Sequence, residues 1–187
     1  MTTWRRGASL LAQQVAATTP SLETFIGRLE GEKIPRVHGV AVFFTGRLEQ
    51  TPPALHQLVR HTGVLHERVI LATVVMEPVA KIDVEERIEL TALEAGFHRL
   101  VLRYGFMQHP NVPSDLAACA ELGLALDLDQ VHYFIGQVDM LAGRKRRGMA
   151  LWRDRIFTLM ASNTADVTSF YQVPIAQSMK VGLQVGI

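Results

Sequence analysis

The sequence predicts an α/β fold, a mixed sheet flanked by helices and preceded by N-terminal linker helices. Three observations carry this. Short apolar, β-branched runs at Val40 to Thr45, Val69 to Met76, Phe97 to Tyr104 and Val131 to Gly136 read as strands. Helix-like segments fall between them, and such alternation is the signature of a sheet layered against helices. A further strand-like run, Arg87 to Leu93, is separated from Phe97 only by Glu94, Ala95 and Gly96. That spacing suits an antiparallel hairpin, so the sheet is not expected to be purely parallel.

The first thirty residues read as two helices, broken at Thr18 to Ser21, where proline and hydroxyl side chains favour a turn or cap. Trp4, Ala8, Leu11 and Val15 share one face of the first helix. Trp4, Arg5 and Arg6 suit a segment that has just left a membrane on its cytoplasmic side. An amphipathic helix packed on its own domain reads equally well. Pro53 to His61 follows as a short helix with proline at its start. The run Arg68 to Met76 is apolar without alternation, as in a strand covered on both faces.

Ser114 to Leu124 is alanine-rich and predicts a helix with Gly123 near its end. Met149, Trp152, Ile156 and Met160 recur at helical spacing, with Phe157 and Leu159 flanking them, and predict a helix over Met149 to Asn163. The tail Val181 to Ile187 reads as a final strand or an ordered edge. Residues 1–35 are expected to form a juxtamembrane helical linker and 36–187 the α/β domain.

A chain of 187 residues with 48% apolar residues is long enough for one domain with a real core. The formal charge of +1 gives no global field for a polyanion, which argues against a nucleic-acid partner. One cysteine, Cys119, excludes an internal disulfide and fits a reducing compartment. No stretch approaches the roughly 20 apolar residues of a membrane span, and no signal peptide is present. The chain as given is expected to be soluble.

Motifs of chemistry are sparse. The histidines at 56, 61 and 66 are spaced by five, which places successive members on different faces of a helix, so no metal site is expected. Gly-x-Ser-x-Gly is absent, and Cys119 in an alanine-rich helix reads as a small buried hydrophobe. No catalytic residue and no cofactor are assigned, and an enzyme is not expected. Arg144, Lys145, Arg146 and Arg147 precede the Met149 helix, where they and the helix dipole could hold a phosphate or anionic lipid. A solvated loop is the commoner fate of such a charge run, and no aromatics interleave them for base stacking. Arg153 falls inside the apolar sector of its helix, so it needs a charge partner. The loop from Tyr104 to Pro113 follows a strand and precedes a helix, where α/β folds commonly place ligands. Tyr104 and Asn111 are its candidate contacts; a rigid connector is the alternative.

A series of blocks, in order, carries a family resemblance: Arg36 to Phe43 (RVHGVAVF), Pro53 to Leu55 (PAL), Val64 to Val69 (VLHERV), Tyr104 to Met107 (YGFM), Pro110 to Pro113 (PNVP), Tyr133 and Phe134, Met149 with Trp152 and Arg153, and Gly182 to Val185 (GLQV). Together they resemble the cytosolic C-terminal domain of the KUP (HAK/KUP/KT) potassium uptake transporters. The resemblance departs from the family pattern at His38, in place of proline, and at Gln108, in place of an acidic residue. Gln137 stands for a basic residue, and Lys180 and Gly186 for glutamates. It implies an α/β domain shaped like the nucleotide-binding universal stress proteins. It further implies a parent that is a proton-coupled potassium importer of the cell (inner) membrane, with this domain on the cytoplasmic face as a regulatory or accessory part. The implied partners are the parent's own transmembrane domain, a second copy in a homodimer, and a small nucleotide ligand. A nucleotide sensor, of a cyclic dinucleotide for instance, and a purely structural dimerisation module remain as alternatives.

Overall fold

The computed structural model describes residues 20–46, 48–141 and 170–186. Helix α1 (Leu22–Glu32) starts at Ser21, whose hydroxyl accepts from the Thr24 N–H, and stops at Lys33 in the left-handed conformation. Strand β1 (Arg36–Phe44) leads through a loop to helix α2 (Pro53–Thr62) and back into β2 (Leu65–Glu77). The single turn α3 (Val84–Arg87) precedes edge strand β3 (Ile88–Ala92), and β4 (Phe97–Gly105) follows. Then come α4 (Val112–Ala118), β5 (Val131–Leu141) and β6 (Ser178–Gly186).

One six-stranded sheet runs in the order β3-β4-β2-β1-β5-β6. Every pairing is parallel except β3 with β4, where Ile88 faces Leu102 and Ala92 faces His98. The predicted mixed sheet and its hairpin are therefore present. Strand β3 returns the chain along the sheet edge between β2 and β4, where a parallel pair would ordinarily use a helix. Its turn is tight. A Cβ at Gly96, which has φ +76°, would lie 2.6 Å from the Glu67 carbonyl oxygen. The five parallel strands alone follow the order 3-2-1-4-5, that of doubly wound sheets.

Alternation along each strand makes two cores. Ala41, Phe43, Val69, Leu71, Phe97 and Phe134 face α1 and α2, which contribute Phe25, Ile26, Leu29, Leu55 and Val59. The neighbouring positions Val42, Ile70, Ala72, Leu100, Leu102 and Tyr133 face α4 through Val112 and Leu116. Helices thus cover both faces, as the unbroken apolar run in β2 requires.

The sequence predicts one helix over Ser114 to Leu124, and the structure differs. α4 begins earlier, because the Asn111 side chain caps it and Pro113 is tolerated in its first turn. After Ala118 the backbone tightens to a 3-10 turn over Cys119–Leu122, closed by Gly123 at φ +88°. Alanine propensity alone would continue the helix. The turn instead brings Leu124 back to the core. The tail strand begins three residues before Val181 and pairs in parallel with β5. The predicted first helix and the Met149 helix lie outside the described residues.

Candidate functional site

Tyr104, the next-to-last residue of β4, has its ring buried. Its hydroxyl donates to the carboxylate of Asp115, in α4, and accepts from the Asn111 N–H at 3.1 Å. Arg87, at the end of α3, places Nη1 3.5 Å from the other Asp115 oxygen and its guanidinium carbon 5.1 Å from the Tyr104 ring centre. Arg87 Nη2 donates to the Ile82 carbonyl at 3.4 Å. The side chain of Asp115 is 5% exposed and that of Arg87 18%. A carboxylate this deep requires partners, and it has two. Burial pushes the Tyr104 phenol well above its ordinary range, and the hydrogen bond to Asp115 pushes it further, so it stays protonated as the donor.

Gln108 ties the loop after β4 to the loop after β2. Its side-chain oxygen accepts from the Ile82 and Gly105 N–H groups, each at 2.9 Å, and its Nε2 donates to the Ile82 carbonyl at 2.9 Å. The Phe106 and Met107 N–H groups donate to the carbonyls of Val79 and Ala80. The two loops approach so closely that a Cβ at Gly105 would lie 2.5 Å from the Ala80 carbonyl oxygen.

Asn111 works on both sides of this network. Its Oδ1 accepts from the Ser114 N–H at 3.0 Å, and its Nδ2 donates to Gln172 Oε1 at 3.0 Å. The Val112 N–H donates to the Tyr171 carbonyl, and the Tyr171 ring stacks on Phe44 at 4.8 Å. Residues Tyr171 to Val173 therefore lie over the carboxyl end of β1, with Val173 in the core.

The structure thus joins the two sequence-predicted contacts, Tyr104 and Asn111, by a direct hydrogen bond. It also engages their polar groups within the fold, which favours a latch holding the carboxyl edge together. Arg144, Lys145, Arg146, Arg147 and Arg153 lie outside the described residues. Cys119 is buried, and burial pushes its thiol up to about 11, so no thiolate nucleophile forms near neutral pH. His56 packs against Phe25, His61 sits in the last turn of α2, and His66 lies 5.4 Å from His132, so the trio is dispersed. Sequence reasoning missed Arg87 and Asp115. Asp115 has the signature of an ordinary acidic residue in a first helical turn, and nothing local marks Arg87 as its partner.

Comparison with known proteins decides what this domain is. Residues 38–187 match the family model described as "K+ potassium transporter C-terminal domain". The chain belongs to that family. It is 43% identical over 185 residues to a probable potassium transport system protein Kup of Nitrosomonas eutropha, covering 99% of this chain and 29% of that protein. It is 40% identical over 187 residues to a probable Kup 1 of Geobacter sulfurreducens, covering 100% of this chain and 30% of that protein. A probable Kup of Myxococcus xanthus is 40% identical over 185 residues, 99% of this chain and 28% of that protein. The transporter C-terminal domain thus spans less than a third of the length of these curated relatives. No solved structure matches it. The family is that of a potassium-transporter domain.

Proposed function

We propose that this chain is the cytosolic regulatory or accessory domain of a proton-coupled potassium uptake transporter. On this reading it supports or tunes uptake without forming the ion pathway. The observation that carries the reading is the match of residues 38–187 to the transporter C-terminal family. Two facts support it. Among the described residues no helix is long and apolar enough to cross a membrane. The relatives named for potassium transport are more than three times as long, so the parent has ample chain for the pathway.

The domain sits on the cytoplasmic face of the cell membrane, contacts its own transmembrane part, and pairs with a second copy. The test is potassium uptake by cells carrying the full transporter or a version truncated before Trp4, at matched membrane expression. Unchanged uptake and unchanged response to ionic conditions in the truncated form would reject the proposal.

One observation favours the alternative of a nucleotide sensor. The parallel strands take the order used by sheets that bind nucleotides at the carboxyl ends of their strands. Calorimetric titration of the chain with a cyclic dinucleotide tests it, and absence of heat at millimolar ligand would remove it.

A further inference from the structure

A second feature lies at the opposite end of the strands, their amino ends. Between α1 and α2 opens a cleft of about 570 Å³, formed where the chain enters the first residues of β1 and β2. That volume is within the range of small-molecule sites. Arg28 and Glu32 of α1 and His56 and Arg60 of α2 line it, over apolar surface from Ile34 and Val59. Among the described residues two arginines line it against one carboxylate, Glu32, which is 3.4 Å from Arg28 Nε. Among the described residues Arg60 makes no salt bridge or hydrogen bond, apart from helix backbone pairing and its place near the carbonyls at the end of α2.

We propose that this cleft binds a phosphomonoester carried on an apolar body, with Arg28 and Arg60 as its anion clamp, His56 as a third donor, and Ile34 and Val59 beneath the apolar part. A dianion suits two guanidinium groups, whose forked donors match phosphate oxygens. His56 adds a consequence. Burial holds its imidazole below the usual range, and the charges of Arg28 and then Arg60 hold it lower still. A dianion among these groups opposes the arginine charges, so the ring's affinity for a proton rises on binding. Among the described residues the charges that act on His56 are Arg28 on α1 and Arg60 on its own helix, and Glu32 of α1 lines the same cleft.

The same chemistry has two sources, a soluble nucleoside monophosphate and the headgroup of phosphatidate. The 187-residue chain is titrated with AMP, with adenosine as control, while the His56 ring resonances are followed by NMR. In parallel it is sedimented with phosphatidylcholine vesicles with and without phosphatidate. Arg60→Gln and Arg28→Gln are compared, with melting temperature as the check on folding.

Saturable AMP binding that moves the His56 resonances, with no binding of adenosine, supports a soluble ligand. In that case each substitution weakens binding roughly tenfold or more, as expected for a lost charge-assisted contact. Phosphatidate-dependent sedimentation abolished by Arg60→Gln assigns the site to the headgroup. The proposal is overturned if neither probe binds, if AMP binds without moving His56, or if both folded variants bind as the parent does. None of these readouts measures transport, so failure here leaves the uptake reading standing.

Discussion

Asp115 is where a single side chain does most to hold the carboxyl edge. Its carboxylate is shared by the Tyr104 hydroxyl and the Arg87 guanidinium, all three largely out of water. Removing one partner of such a set leaves the others buried and unpaired. Asp115→Ala is expected to destabilise the chain by about 3 kcal/mol, as for a broken buried ion pair. Tyr104→Phe removes one donor and the acceptor of the Asn111 N–H, and should cost about 1–2 kcal/mol. Urea denaturation of both variants measures the difference. An Asp115→Ala change within about 0.5 kcal/mol of the parent would mean that the latch contributes nothing.

Three half-buried histidines set a pH dependence at the same scale. His56, His66 and His98 all lie below the ordinary 6.5, in each case first because burial disfavours the charged ring. For His66 the nearby His132 lowers it further. Below about 6.5 the unfolded chain therefore binds more protons than the folded one, so stability is full above that value and falls as pH drops beneath it. Melting temperature followed from about pH 7.5 down to about 5 should show the fall, with a shallower slope in His66→Gln. A slope unchanged by that substitution would assign the loss to the other rings.

At the scale of elements, the four central strands β4, β2, β1 and β5 were legible because they are covered on both faces and each is a concentrated apolar run. Pro53 at the start of α2 and the Glu94 to Gly96 turn were equally plain. What escaped notice depends on contacts across long sequence separations. Arg87 meets Asp115 across 28 positions, and the cleft residues Arg28 and Arg60 come from different helices. No local pattern encodes either pairing. The overlong prediction for α4 has the same origin, since a tertiary demand on Leu124 ended a segment that its alanines would have continued.

Gln108 shows what an element-level joint requires. The resemblance marked it only as a departure from an acidic residue, whereas the structure uses both ends of its amide, accepting from two N–H groups and donating to one carbonyl. A glutamate keeps the acceptor but turns a carboxylate oxygen toward the Ile82 carbonyl. Gln108→Glu should therefore cost about 1–2 kcal/mol. Backbone amide exchange at Phe106 and Met107, which pair with Val79 and Ala80, should accelerate in that variant. Exchange identical to the parent's would show that the backbone ladder alone holds the two loops.

For the whole molecule, the proposed function raises the question of how such a domain would act on uptake. A domain shifts transport only if it interacts differently with the transporter's conformations, so the coupling must run through surfaces that remain intact when the fold does. This gives a discriminating expectation. In the full transporter, Asp115→Ala loosens the domain's carboxyl edge without touching any residue of the membrane part. If the folded domain supports uptake, this variant should lower potassium uptake toward the level of the form truncated before Trp4, at equal membrane abundance. Tyr104→Phe, with the smaller expected loss of stability, should lie between the variant and the parent. Uptake measured with rubidium as tracer, beside surface quantification, separates the cases. If truncation reduces uptake but Asp115→Ala leaves it at the parental level despite measured destabilisation, the contribution of the domain does not depend on this latch.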